Sequence, residues 1–323
     1  MDSQHNYKVF IVILNWNNCE DTSESLSSIK KISYTNYKIV LVDNGSTDNS
    51  VQRLKSEYPF IDIIINKENL GFAAGCNVGI RYSLEQGADC ILLLNNDAVI
   101  EQNSLSVAVK TLFSDKRVGI VGGKIKQYYN PSYIDTTGIK HIIWPAMFMK
   151  SVGAGKLDKG QFNSRDVRIA VSGALMLIKR EVFEKVGLLP EEFFFGVEDV
   201  DFCLTARKNG FLVIYEPCFI AYHKGNRSTK KGPQNIYSYF LHRQLLMKRH
   251  MNYFLWKISR ASLFIYMRFY FYYKYTKNNK LDFESKNRIK EAILLAFNKG
   301  NSIEKVTKSD LALTLNNFYK ERK

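Results

Sequence analysis

Short, dense apolar runs alternate along the chain with longer stretches whose apolar positions recur at helical spacing. Residues 8–14 (KVFIVIL), 38–42 (KIVLV) and 90–94 (CILLL) are brief and almost wholly apolar, as expected of strands buried on both faces. Residues 61–65 (IDIII) read as a further strand between the last two. Residues 20–31, 48–58 and 73–86 carry helical spacing, with Ser46 or Thr47 near the N-cap of the second. This alternation predicts an α/β fold: a parallel sheet with helices on both faces. The pattern returns later, with strands at 171–179 and 211–215 and helices at 180–186 and 199–209. Residues 128–168 are less regular, and their Gly, Pro, Tyr and Trp content predicts loops and edge strands around a groove.

After His223 the character changes. No Asp or Glu occurs between residues 224 and 280, while Lys and Arg recur among many aromatics. Residues 255–273 (LWKISRASLFIYMRFYFYY) are apolar but carry Lys257, Arg260 and Arg268, which predicts an interfacial helix rather than a spanning one. An anionic membrane surface, single-stranded nucleic acid and plain solvent are the alternatives for its basic face, with the membrane favoured over nucleic acid. The organisation expected is one large domain over residues 1–225 and a helical extension over 226–323.

Composition narrows the picture. Hydrophobic residues make up 46% of 323, enough for a sizeable core, and the formal net charge of +15 favours an anionic partner. The 5 cysteines are scattered and odd in number, which points to reduced thiols rather than a disulfide framework or a zinc site. The opening MDSQHNYK lacks the pattern of a signal peptide, and no uninterrupted apolar run reaches the ~20 residues of a bilayer span. These features together predict a cytoplasmic protein, peripheral on a membrane.

In open α/β sheets, ligands bind beyond the carboxyl ends of the strands. Polar clusters stand at four such ends: Asn15-Trp16-Asn17, the Asp43-to-Asp48 run DNGSTD, the Asn69-to-Asn77 run NLGFAAGCN, and Asn95-Asn96-Asp97. Each alone reads as a turn, since Asn, Asp and Gly are turn residues; four at successive strand ends suggest a site. A carboxylate at Asp43 can accept the imide N–H of uracil or thymine. Gly71 and Gly75 let backbone approach a ligand at a helix start, which favours phosphate oxygens. Asp97 with diphosphate oxygens can hold Mg²⁺ or Mn²⁺. Glu198 and Asp199 follow an aromatic run at a helix start, and His223 ends a strand and loop where a neutral imidazole can ligate a metal.

In order, ILNWNN, VDNGSTDNS, NLGFAAGCNVGI, LLLNNDAVI, VSGALMLIKREVFEKVG, FFFGVEDVDFCLTARKNG and YHKGNRS resemble family 2 glycosyltransferases of the GT-A fold. The resemblance is strongest to rhamnosyltransferase-like members that build bacterial surface polysaccharides. It implies a nucleotide-binding half near 1–125 and an acceptor half near 126–225. It also implies donor contacts from Asn15, Trp16, Asn17, Asp43, Asn44, Gly45, Asn69, Gly71, Phe72, Asn77, Asn95 and Asn96. Asp97 and His223 would hold Mg²⁺ or Mn²⁺, and Gly173, Phe195 and Glu198 would face the acceptor. Asp199 matches the general base of an inverting displacement, with Glu198 beside it. The partners implied are a dTDP- or UDP-sugar, with dTDP-rhamnose first, and a glycan or lipid-linked glycan.

Two positions depart from the pattern. Asn95 replaces the first acid of Asp-x-Asp, and Gln244 stands where Asn is usual in the stretch Tyr239-Phe240-Leu241-His242-Arg243-Gln244. A sugar nucleotidyltransferase would need a Gly-rich basic loop after the first strand, where this chain has NWNNCEDTSES. An inactive scaffold would not need Asp97, Glu198, Asp199 and His223 together.

Overall fold

The computed structural model describes residues 6–143, 147–225, 233–278 and 282–304. Residues 226–228, the end of the YHKGNRS piece, lie outside the described residues, as does the extension beyond 304. The chain forms two units. The first comprises Met1–His141, Lys150–Pro190 and Glu198–Gly225; the second comprises Ile142–Met149, Glu191–Val197 and Asn226–Lys323.

The first unit is built on one twisted sheet. Strands β1 (Val9–Asn15), β2 (Tyr37–Asp43), β3 (Asp62–Ile65) and β4 (Cys90–Leu94) alternate with helices α1 (Cys19–Ile29), α2 (Ser50–Glu57) and α3 (Phe72–Glu85). They pair in parallel in the order β4-β1-β2-β3, with Asn15 level with Asp43. The parallel half fits the apolar runs closely, because every residue of β4 and nearly all of β1 is buried and no polar face exists to blur the signal.

The next stretch carries elements its composition did not announce: β5 (Ala98–Ile100), α4 (Ser104–Leu112) and β6 (Val118–Gln127). Then come β7 (Ile134–Thr136), β8 (Ile139–Ile143), β9 (Phe148–Ser151) and β10 (Asp166–Val167); β7 and β10 lie at margins of the sheet, while β8 and β9 pair as a separate two-stranded sheet. β11 (Leu175–Lys179) runs antiparallel between β4 and β6, a reversal within an otherwise mainly parallel core. β12 (Leu212–His223) is parallel to β6 and continues through a bulge between Glu216 and Ile220, where the sequence suggested a strand followed by a loop. Because of the reversal, β11 starts, rather than ends, at the rim where β1, β2, β4 and β12 finish, and Leu175 pairs with Leu94.

Helix α3 lies close on the sheet because it presents glycines to it. A Cβ at Gly75 would meet the Leu14 side chain at 2.7 Å, and one at Gly79 would meet Val12 at 2.7 Å. Gly45 serves a turn instead. Its φ is +73°, and a Cβ there would stand 2.6 Å from the Glu68 backbone, so the β2 turn can press on the β3 loop. The expected cap of α2 is corrected. The helix starts at Ser50, and neither Ser46 nor Thr47 caps it, since the Ser46 hydroxyl is bonded to Asp43 and Asn15 instead.

Helices α5 (Arg180–Val186) and α6 (Glu198–Lys208) complete the first unit. The second unit is helical: α7 (Pro233–His250), α8 (Tyr253–Ile265), a π-helical turn at Tyr266–Phe271, α9 (Tyr272–Asn278) and α10 (Phe283–Lys299). The π turn interrupts the continuous helix expected over 255–273. Gln244 finds its role here: its amide donates to Ala296 O while its carbonyl accepts from Arg260 Nε, and Arg260 also reaches Phe297 O. It therefore satisfies the carboxyl end of α10, a structural role. Among the described residues no helix is long and apolar enough to cross a membrane. All five cysteines are free.

Asn77, expected as a donor contact, lies in the interior. It is fully buried, and its amide both donates to Leu189 O at 2.9 Å and accepts from Leu189 N at 3.0 Å, pinning α3 to the segment after α5. Asn77→Ala removes the partner of both Leu189 groups in the interior, and urea unfolding should show a loss of about 1–3 kcal/mol. An unchanged midpoint would show that water replaces the amide.

Candidate active site

The site is assembled from strand ends upward. Asp43 closes β2 with its carboxylate buried. Its Oδ1 accepts from Asn15 Nδ2 at 2.7 Å and from the Ser46 hydroxyl at 2.6 Å, and its Oδ2 accepts from Ser46 N at 2.9 Å. A carboxylate offers about four lone-pair positions, so one on Oδ2 is left open. Asn15 is itself fully buried, accepting from the Thr22 hydroxyl at 2.8 Å, so it underlies the site rather than lining it. Trp16 and Asn17 are exposed above it. Asn17 takes the left-handed conformation with φ 49°, which Asn tolerates, and its side chain accepts from Thr47 N.

Asn44, expected as a donor contact, is tied into the fold. It is 2% exposed and makes four hydrogen bonds, donating to Asn69 Oδ1 and Gly71 O and accepting from Asn66 Nδ2 and Leu70 N. It locks the β2 turn to the NLGF loop, where Asn69 also accepts from Gly71 N. Gly71, with φ +89°, opens α3, and the half-buried Phe72 follows it.

The rim continues at β4. Asn96 Nδ2 donates to the Thr22 hydroxyl at 3.0 Å, so Thr22 ties this turn to Asn15 and, through it, to Asp43. Asn95 N donates to Ala174 O at 3.2 Å, while the buried Asn95 Oδ1 has no hydrogen-bond partner among the described residues. Asp97 Oδ1 stands 3.1 Å from His223 Nε2, and His223 Nδ1 stands 2.9 Å from Asp135 Oδ2 on β7. Burial alone would lower the His223 pKa, but the bonds to Asp135 and Asp97 raise it to about 9.

Two ligands at right angles on an ion ~2.1 Å from each stand about 3 Å apart, the separation of Asp97 and His223. The orphaned Asn95 oxygen beside them is a further hard donor. Among the described residues no group of three or more His, Cys, Asp or Glu forms a metal cage. Asp97, His223 and the Asn95 oxygen are the groups at this rim that could hold a divalent cation.

At the reversed start of β11, Gly173 N donates to Asp199 Oδ2 at 2.9 Å, and Val200 N donates to Oδ1 at 2.7 Å. Burial pushes the Asp199 pKa up, and these backbone bonds offset it only in part. Gly173 is bare toward Phe72 and Asp199: a Cβ there would lie 3.4 Å from the Phe72 ring. Glu198 beside it is buried. Phe195 is exposed and belongs to the second unit.

Asp43, Asp97, Asp199 and His223 thus share one edge of the first unit's sheet. The profile of "Glycosyl transferase family 2" matches residues 10–187. The chain belongs to glycosyltransferase family 2. It is 28% identical over 202 residues to the low-salt glycan biosynthesis hexosyltransferase Agl10 of Haloferax volcanii, covering 61% of each chain. It is 27% identical over 235 residues to the dTDP-rhamnosyl transferase RfbF of Shigella flexneri, covering 72% of this chain and 74% of that one.

Two solved structures show the same GT-A fold. One is GalNAc-T7 with UDP, GalNAc and Mn²⁺, at TM-score 0.63 and 15% identity over 98% of this chain and 58% of that one. The other is the mannosyltransferase PcManGT from Pyrobaculum calidifontis with GDP-Man and Mn²⁺, at TM-score 0.53 and 16% identity over 97% and 80%. The chain spans 61% of the length of the haloarchaeal relative. Residues 10–187 are thus a family 2 glycosyltransferase domain.

Three residues of the rim escaped sequence reading: Thr22, Asp135 and Lys224. Asp135 lies in the irregular segment, where no periodicity marks it. Lys224 Nζ reaches Asp21 at 2.6 Å and also Glu24; burial lowers its pKa, and these two partners more than offset that. Its N–H donates to Asp97 O at 3.0 Å, so the lysine fastens α1 to the end of β12. Lys224→Met takes the cation away from the buried Asp21 carboxylate, and chemical denaturation should report a loss of about 3 kcal/mol. A wild-type midpoint would show that the clamp is not needed.

Proposed function

We propose that this glycosyltransferase is inverting and metal-dependent. It transfers a sugar, L-rhamnose from dTDP first and a UDP-hexose second, to a hydroxyl of a glycan or lipid-linked glycan in surface polysaccharide synthesis. The observation that carries the reading is Asp199, a carboxylate fixed by two backbone N–H groups on the same rim as Asp97 and His223. The dTDP-rhamnosyl relative supports the donor, and the haloarchaeal hexosyltransferase keeps the hexose second.

Each residue has its part in a single displacement. Asp43 accepts the imide N–H of the base with its free lone pair, below Trp16. The N-terminus of α3, from Phe72, faces the diphosphate with its unpaired N–H groups. Asp97 and His223 would hold the cation, with Asp135 fixing the imidazole through its Nδ1. The cation, when bound, offsets charge on the departing diphosphate. The acceptor oxygen bonds to the anomeric carbon as the bond to the diphosphate oxygen breaks, and Asp199 takes the hydroxyl proton. Such general-base help is worth about 10²–10⁴-fold.

Asp199→Asn keeps the shape and removes the base, so kcat should fall at least ~10²-fold while donor affinity holds. Because burial raises the Asp199 pKa and only its ionised form accepts a proton, activity is lost as pH falls through that raised value. The acid limb of kcat/KM should therefore lie above the ~3.9 of an ordinary Asp. Near-normal turnover by the variant would remove Asp199 from the role.

Asp97→Ala should weaken metal-dependent donor binding, and Asp135→Ala should cost about 10–100-fold in Mn²⁺ affinity through a loosened His223. Calorimetry showing unchanged affinities in both would contradict the assignment.

The second unit supplies the partner surface. Phe254, Phe269 and Tyr273 are exposed beside Lys257, Arg268 and Lys277, with no acid from 224 to 280. Apolar rings interleaved with cations suit an anionic lipid interface, where the enzyme would meet a lipid-linked acceptor. The protein should float with phosphatidylglycerol vesicles, and a Phe254→Asp, Phe269→Asp variant should not; equal flotation of the two would discard the surface.

A further inference from the structure

Among the described residues, the second unit encloses a cation with no counter-ion. Arg243, on α7, is 4% exposed, and its Nε and Nη1 have no hydrogen-bond partner there. Its guanidinium lies against two aromatic rings, 4.9 Å from the centroid of Phe148 and 4.7 Å from that of Tyr239. The polar groups that act on it electrostatically are the phenols of Tyr239 and Tyr266, not carboxylates. A guanidinium stays charged in a protein interior, and ring faces compensate lost hydration only in part.

The same unit satisfies its other buried arginine. Arg260 spends its donors on Gln244 Oε1 and Phe297 O. Next to Arg243, His242 is also 4% exposed, and its Nε2 is likewise unpartnered among the described residues. It packs near the Phe193 ring and Gly196, in the segment that leads along the chain into Glu198. Adjacent buried polar groups left open, beside an arginine whose Nε and Nη2 are both bonded, mark a place kept for a ligand. Tyr239, which lies against the guanidinium, is itself 44% exposed.

We propose that Arg243, supported by His242, anchors a binding site for a phosphate or diphosphate group. The planar fork of donors matches phosphate oxygens, and the aromatic walls hold it in place for bidentate contact. Two sources share this chemistry: the nucleoside diphosphate of the donor, and the diphosphate of a lipid-linked acceptor. Their separation rests on the transfer reading above; the site itself does not.

The test is calorimetry on the full chain with three probes: inorganic pyrophosphate, dTDP and farnesyl diphosphate. Wild type should bind pyrophosphate at least tenfold more tightly than Arg243→Gln, with Arg243→Lys between them. A loss with dTDP identifies the nucleotide as the source, and a loss confined to farnesyl diphosphate identifies the lipid. Equal affinity of wild type and folded Arg243→Gln for all three, or no binding by wild type, overturns the site. If Arg243→Gln does not fold, hydrogen exchange on wild type decides. Pyrophosphate should slow exchange across residues 233–250, and unchanged exchange there overturns the proposal. Sugar transfer that persists without any of these effects would sink this site alone and leave the proposed reaction standing.

Discussion

One run of hydrogen bonds holds the rim together. It passes from Asp43 to Asn15, to the Thr22 hydroxyl and to Asn96. It resumes at Asn95, whose N–H meets Ala174 O, and Gly173 then donates to Asp199. Residues far apart in sequence are thereby held at fixed separations by groups that are themselves buried or half-buried. In a low-dielectric interior each such bond strengthens its neighbours, and each unpaired group is costly. The proposed chemistry depends on this run, because a base, a cation site and a nucleotide pocket act together only when their spacing is fixed.

The reversal of β11 completes the arrangement. A parallel strand in that place would present its carboxyl end at the rim and carry Gly173 to the opposite edge. Running antiparallel, β11 delivers Gly173 and Ala174 beside β4, and Asp199 is caught as α6 begins. The bulge in β12 leaves its far end in register with β5, pairing His223 with Ala98, one residue after Asp97. Backbone geometry, more than side-chain choice, thus brings Asp97 and His223 together.

These two features also mark where reading the sequence stops. The parallel strands were legible because they are buried on both faces and so apolar throughout. The direction of β11 was not, since an apolar run looks the same either way. β6 was missed because Gly119, Gly122 and Gly123 interrupt its pattern; at each, a Cβ would clash with a neighbouring element. The motif positions divide by the bonds they make. Asn15, Asn44 and Asn77 are spent on the fold, while Trp16, Asp97 and Asp199 retain exposure or open valences. Sequence shows that an Asn stands at a strand end, but only the bonds it makes separate a ligand from a pin. Asp135 had no local signal, because its only claim is its distance from His223.

Whether Asp97 and His223 form the cation end of a rim shared with Asp43 and Asp199 can be seen in crystals grown with dTDP and Mn²⁺, through the manganese anomalous signal. A single strong peak is expected within about 2.3 Å of both Asp97 and His223 Nε2, with the diphosphate on its open side. A nucleotide bound with its manganese held by other residues would contradict this arrangement.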